Sequence, residues 1–193
     1  MTITAPARDQ EHELDRVERP PALALVVFGA SGDLTARKLL PALAALSEHG
    51  ALPAGFSVVG VARTDWSDDE FRQVAVQAAG DHSPAWQKVV DNFRYVSGEY
   101  GHPSTFAKLS DVLGELDRTV GTAGNRVYYL ATVPDLFAVV AEGLADHGCN
   151  SPGQGGHFAR LVVEKPYGHD LRSAKELDTH LHGAFEESQI YRI

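Results

Sequence analysis

A chain of 193 residues, 44% hydrophobic, has the length and apolar content of one folded domain with a sizeable core, which argues against wholesale disorder. Its formal charge of −9, from 17 Lys and Arg against 26 Asp and Glu, argues against a general affinity for nucleic acid or an anionic membrane. No segment approaches the ~20 apolar residues that span a bilayer. The amino terminus carries Asp9, Glu11, Glu13 and Asp15 and does not read as a signal peptide. Cys149 is the single cysteine, so no disulfide forms within the chain, and a cytoplasmic protein is expected.

Residues 1–21 are polar and charged, close with Pro20-Pro21, and read as a disordered tail ahead of one domain over 22–193. The first apolar run is Ala22 to Phe28. A helical pattern follows, with Leu39, Leu43 and Leu46 at i, i+4 and i+7. Pro41 is expected to kink or divide that helix, because it lacks a donor and clashes one turn back. The second run is Phe56 to Ala62, after which Ser67-Asp68-Asp69-Glu70 reads as a capping box. A weaker strand lies near Phe93 to Val96. Pro103 to Val120 then places Phe106, Leu109, Val112, Leu113 and Leu116 on one helical face. Arg126 to Leu130 is the fourth strand, Pro134 to His147 a helix, Phe158 to Val163 the fifth strand, and Asp170 to Phe185 the last helix. Gln189 to Ile193 begins like another strand and stops, which suggests a truncated gene. The clearest strands are short and continuously apolar, as strands covered on both faces are. The alternation predicts an α/β fold, doubly wound on a mostly parallel sheet with right-handed crossovers.

The turn Gly29-Ala30-Ser31-Gly32-Asp33-Leu34-Thr35 follows the first strand directly and opens a helix. Gly29 allows a sharp turn, and Gly32 removes a side chain where backbone meets a diphosphate. The free N–H groups of the helix start and its dipole then face the anion. Ser31 adds a hydroxyl. Asp33 would repel phosphate and is expected to cap the helix instead. Alone, a glycine pair more often binds nothing; its place in the first βαβ unit makes it a dinucleotide turn in a Rossmann-like fold. Arg63 ends the second strand, where an arginine accommodates the 2′-phosphate of NADP and an acid would bind the ribose of NAD. Arg63 could instead pair with Asp65 or Asp68 on the surface, and Asp65 could itself reach the ribose. Lys165, in Glu164-Lys165-Pro166-Tyr167-Gly168 at the end of the fifth strand, could bridge cofactor and an oxygen-rich substrate, though a surface lysine is the default reading.

Other signals are weaker. His147, Cys149 and His157 match no standard metal spacing, and residues 151–156 between them look like a flexible connection. His180 and His182 do not share a helix face. Trp66 and Trp86 read as packing residues, and Ser31 lacks the context of an acyl-transfer nucleophile.

Together, Gly29 to Leu34 with Arg37-Lys38, then Arg63, Glu164 to Gly168 and Gln189 to Ile193 resemble the glucose-6-phosphate dehydrogenase family over residues 22–193. The resemblance implies a cofactor-binding portion in which Gly29, Ala30, Ser31, Gly32, Asp33 and Leu34 form the NADP phosphate turn. It also implies that Arg63 binds the 2′-phosphate, that Ala131 and the Pro134 turn lie along the dinucleotide, that Glu99 and Tyr100 lie near its adenosine side, and that Lys165 touches both NADP and glucose 6-phosphate. Arg192 is carried over as a substrate contact. Thr35 stands where the family usually has alanine. In the family, Tyr-Arg-Ile runs on into Asp-His-Tyr-Leu-Gly-Lys, whose histidine is the general base, and a larger domain follows that carries the homo-oligomer surface. Neither is in these 193 residues. His169 is the nearest substitute and is expected to be solvated. The chain is therefore expected to keep cofactor contacts and lack turnover alone. A non-catalytic NADP-binding module or redox sensor, and an unstable gene remnant, are the other readings.

Overall fold

The computed structural model describes residues 20–80, 84–151 and 156–193. Apart from Pro20 and Pro21, the expected tail lies outside the described residues, and so do residues 152–155 of the expected flexible connection. Six strands form a single sheet: β1 (Leu23–Phe28), β2 (Phe56–Ala62), β3 (Arg94–Ser97), β4 (Arg126–Leu130), β5 (Ala159–Val163) and β6 (Ile190–Arg192). All neighbours pair in parallel, in the order β3-β2-β1-β4-β5-β6. The last segment completes an edge strand, with Arg192 opposite Val163. The doubly wound parallel fold expected from the alternation is thus present.

Parallel strands need crossovers, which are helical here. They are α1 (Leu40–Glu48), α2 (Asp68–Ala78), α3 (Pro84–Val90), α4 (Pro103–Thr119), α5 (Phe137–Asp146) and α6 (Leu171–Ala184). Side chains alternate along each strand, so β1 sends Val26 and Phe28 to one layer and Val27 to the other. The first layer holds Phe106, Leu109, Phe137, Leu144 and Leu181 from α4, α5 and α6. The second holds Leu40, Phe71 and Trp86 from α1, α2 and α3. Because both faces are covered, β2 is buried along its whole length.

The Ser67 capping box opens α2 as expected: Glu70 N–H donates to Ser67 Oγ, and Ser67 N–H donates to Glu70. Trp86 is buried and donates its indole N–H to Ala75 O at 3.1 Å, while Trp66 lies 5.6 Å from the Tyr95 ring. The first helix does not begin as a regular α-helix. A π-helical turn, Thr35–Leu39, precedes α1, and Leu40 N–H donates to Thr35 O. The segment is divided at Pro41, as expected, by a change of winding. The wide turn contains one extra residue, so each later residue falls where its predecessor would stand in a continuous α-helix. Leu40, Ala44 and Ser47 are therefore the most buried, while Leu39 and Leu43 pack partly buried against the second layer and Leu46 is 46% exposed. Among the described residues no helix is long and apolar enough to cross a membrane.

Candidate cofactor-binding cleft

The connections after β1 and β4 leave on opposite faces of the sheet, which opens a crevice at the carboxyl ends of the strands. A cleft of about 530 Å³ lies there. Of the residues expected from sequence, Gly29, Ser31, Gly32, Arg63, Glu99, Tyr100 and Ala131 line it. Ala62, Thr64, Thr132, Val133 and Leu136 join them. Thr132, Val133 and Leu136 belong to or adjoin the Pro134 turn, and Ala62 and Thr64 flank Arg63 at the end of the second strand. Ala30, Asp33, Leu34, Lys165 and Arg192 do not line the cleft. Ala30 is buried beneath the turn beside Gly60, and Asp33 and Leu34 are exposed.

Gly29 has φ +88°, and a Cβ there would stand 2.4 Å from Ala131 O on β4's exit. Gly29 O accepts from Gly32 N–H at 2.9 Å and from Thr35 Oγ1 at 3.1 Å. The buried Thr35 thus latches the turn, a role that sequence reasoning passed over. A Cβ on Gly32 would lie 3.1 Å from Gly29 O, so this position too favours glycine. Among the described residues, the backbone N–H groups of Ser31, Asp33 and Leu34 have no acceptor within the chain. Such orphan donors at a helix start are ready to meet an anion. The expectation that Asp33 caps the helix is corrected. Asp33 is already in the first helical turn, too late to serve as N-cap, and its exposed carboxylate lies 3.6 Å from Arg37 instead.

Arg63 has no carboxylate partner among the described residues. Asp68, one alternative partner, instead faces Arg94 at 3.6 Å and Arg72 at 3.7 Å and accepts Tyr95 N–H at 2.6 Å. Tyr100 packs against Phe28 at 6.0 Å, and burial pushes its hydroxyl up, opposed by the Gly29 backbone and by the charge of Arg63.

The Glu164-to-Gly168 turn lies at the end of β5, with a cis Lys165-Pro166 bond and Lys165 exposed. Tyr129 on β4 donates its hydroxyl to Glu164. Tyr167 donates to Asp178 at 3.0 Å. Arg192 donates to Asp178 and Glu187, both at 2.9 Å, and its guanidinium lies 5.1 Å from the Tyr167 ring centre. Arg192 therefore ties β6 to α6 and to the turn that carries Lys165. No described histidine lines the cleft, and His169 is exposed, its N–H donating to Ser173. His180 faces Glu142 on α5, whereas His182 faces Asp178 and Glu187. Among the described residues no group of three metal-ligating side chains occurs.

A parallel 3-2-1-4-5-6 sheet with a glycine turn at its switch point defines a dinucleotide-binding domain. The family described as "Glucose-6-phosphate dehydrogenase, NAD binding domain" matches residues 26–193, and the chain belongs to it. Glucose-6-phosphate 1-dehydrogenase 2 of Mycobacterium tuberculosis (strain ATCC 25618 / H37Rv) is 40% identical over 195 residues, covering 97% of this chain and 37% of that protein. Glucose-6-phosphate 1-dehydrogenase of Aggregatibacter actinomycetemcomitans is 43% identical, over 88% of this chain and 35% of its own length. A solved glucose-6-phosphate dehydrogenase in complex with its substrate glucose-6-phosphate superposes with TM-score 0.77 at 28% identity, over 90% of this chain and 36% of that one. The chain thus spans a little over a third of the length of these relatives.

Proposed function

We propose that this chain is the cofactor-holding portion of a cytoplasmic, NADP-dependent glucose-6-phosphate 1-dehydrogenase. The carrying observation is Arg63: a guanidinium without a carboxylate partner among the described residues, just past the tip of β2, lining the cleft together with the Gly29 turn. A guanidinium fork matches a phosphate monoester and has nothing comparable to grip on the free hydroxyl of NAD. The glycine turn also suits a diphosphate, because the amides of Ser31, Asp33 and Leu34 have no acceptor among the described residues and Gly29 and Gly32 let the backbone turn tightly there. The single, buried Cys149 fits a reducing compartment.

When bound, NADP supplies the hydride acceptor for oxidation of C1 of glucose 6-phosphate. The chain's own residues bind and orient. The Ser31 amide in the cleft, with those of Asp33 and Leu34 just outside its lining, would hold the diphosphate, Arg63 would hold the 2′-phosphate, and Lys165 would serve the side where sugar phosphate and nicotinamide meet. Removing the C1 hydroxyl proton needs a base within hydrogen-bond reach, and no described histidine is at the cleft. The 193 residues alone are therefore expected to bind NADP without producing NADPH.

Calorimetric titration tests this. NADP should bind at least about tenfold tighter than NAD, and Arg63→Ala should weaken NADP about 10- to 100-fold while sparing NAD. Equal affinities for the two dinucleotides in the unaltered chain would overturn the assignment, as would brisk NADPH production for the claim of inactivity.

A further inference from the structure

Among the described residues the Arg63 side chain has no carboxylate partner, but the backbone on either side of it is held. The carbonyl of Ala62, before it, accepts Gly98 N–H at 3.0 Å. The carbonyl of Thr64, after it, accepts the Tyr95 hydroxyl at 3.0 Å and Trp66 N–H at 3.0 Å. Thr64 then passes the connection forward, because its hydroxyl donates to Ser31 Oγ at 2.8 Å, across to the glycine turn. Ser31 also lies within hydrogen-bonding reach of the Tyr95 hydroxyl, so Tyr95, Thr64 and Ser31 form one polar cluster.

Tyr95 is well placed to anchor this line. It lies on β3, is 8% exposed, and its ring is held between Trp66 at 5.6 Å and Phe71 at 5.4 Å. Its backbone N–H is fixed by Asp68. Burial, and next the neighbouring Tyr100, push its hydroxyl up to about 12, so it stays protonated and a donor at any pH where the protein works. The hydroxyl itself is not among the groups that line the cleft.

We infer that Tyr95 is a positioning residue for dinucleotide choice: through the Thr64 carbonyl it sets the tip of β2, and so aims Arg63 at the 2′-phosphate. This rests on the assignment of Arg63 proposed above. A long flexible cation loses affinity when its anchoring backbone wanders, since the fork must then be reordered at each binding event. NAD, which lacks the 2′-phosphate, gains nothing from that order and does not report on it.

Tyr95→Phe keeps the ring, its packing and its backbone bond, and removes a single oxygen. Titration of this variant should give NADP affinity reduced about three- to tenfold, the range for one neutral hydrogen bond, with NAD affinity unchanged. In an Arg63→Ala background the same substitution should leave the NADP-to-NAD ratio where Arg63→Ala put it. Thermal unfolding recorded in parallel separates positioning from general loosening: equal losses for both dinucleotides, with a lowered melting temperature, would make Tyr95 merely structural and overturn the inference. An unchanged ratio in Tyr95→Phe, when Arg63→Ala alone collapses it, would sink the role of Tyr95 and leave Arg63 standing. An unchanged ratio in Arg63→Ala would remove both.

Discussion

Gly29 and Ala131 approach so closely that a Cβ on the glycine would sit 2.4 Å from the alanine's carbonyl oxygen. The contact joins the exits of β1 and β4, the two strands between which the winding reverses, and it sets the width of the cleft floor. The obstacle is backbone, which cannot rotate aside as a side chain can. Gly29→Ala also forces an L-residue to φ +88°. Left-handed strain and overpacking together should lower stability by on the order of 3 kcal/mol. Urea unfolding would measure the loss, and NADP titration of the folded remainder should show no binding.

Gly143 in α5 presents the opposite temptation. Alanine there should gain about 1 kcal/mol of helix propensity. Its Cβ, however, would lie 2.2 Å from the Phe106 ring, which is buried and wedged by Phe28 at 6.2 Å and His147 at 5.6 Å. A ring so enclosed cannot retreat cheaply, and overpacking costs about 1–3 kcal/mol. Gly143→Ala should thus be net destabilising, seen as a lower urea midpoint; a raised midpoint would mean that the ring has room.

Arg126, 8% exposed at the start of β4, is neutralised by Asp117 on α4. Burial pushes the Asp117 carboxyl up, but hydrogen bonds from Arg126, Thr122 and the Gly124 backbone outweigh it, and the net shift is downward. Its stabilising effect is therefore present above the unfolded value near 3.8 and is lost as pH falls through the lower folded value. Asp117→Asn should destabilise by about 2–3 kcal/mol at neutral pH, somewhat less than for a wholly enclosed pair, because the carboxylate is partly wet. The difference from the parent should shrink under acid denaturation.

His182 responds in the opposite direction. Its pKa is raised above 6.5 by the Asp178 backbone and by Glu187. The stabilisation is complete below 6.5 and is lost as pH rises through the higher folded value. His182→Gln should flatten the fall in melting temperature across that interval above 6.5. A parent melting curve already flat there would contradict the linkage. Arg192 shares both carboxylates, so the effect should stay local to the α6–β6 seam.

Much of this architecture was legible one element at a time. β2 and β4 fall where their apolar runs lie, and the Ser67 box opens α2 as written. Helix α3 was not legible: seven residues with Trp86 and Val90 as buried marks are too few to establish a period. The π turn ahead of α1 leaves no signature in spacing alone, so of the Leu39, Leu43 and Leu46 pattern two residues pack on the core and Leu46 is left exposed. Asp33 was misplaced by one position, enough to turn a cap into a surface pair with Arg37.

The sequence by itself determined what depends on near neighbours in the chain: alternation and apolarity for strands, capping chemistry for helix starts, and glycine where φ must turn positive. Only the tertiary structure decided which strand ends meet, that Ala131 leaves no room for a Cβ at position 29, that Asp68 spends its charge on Arg94 and leaves Arg63 open, and that Arg192 is held by Asp178 and Glu187. These are contacts between residues far apart in sequence, set by how helices cover the sheet, and no local pattern encodes them.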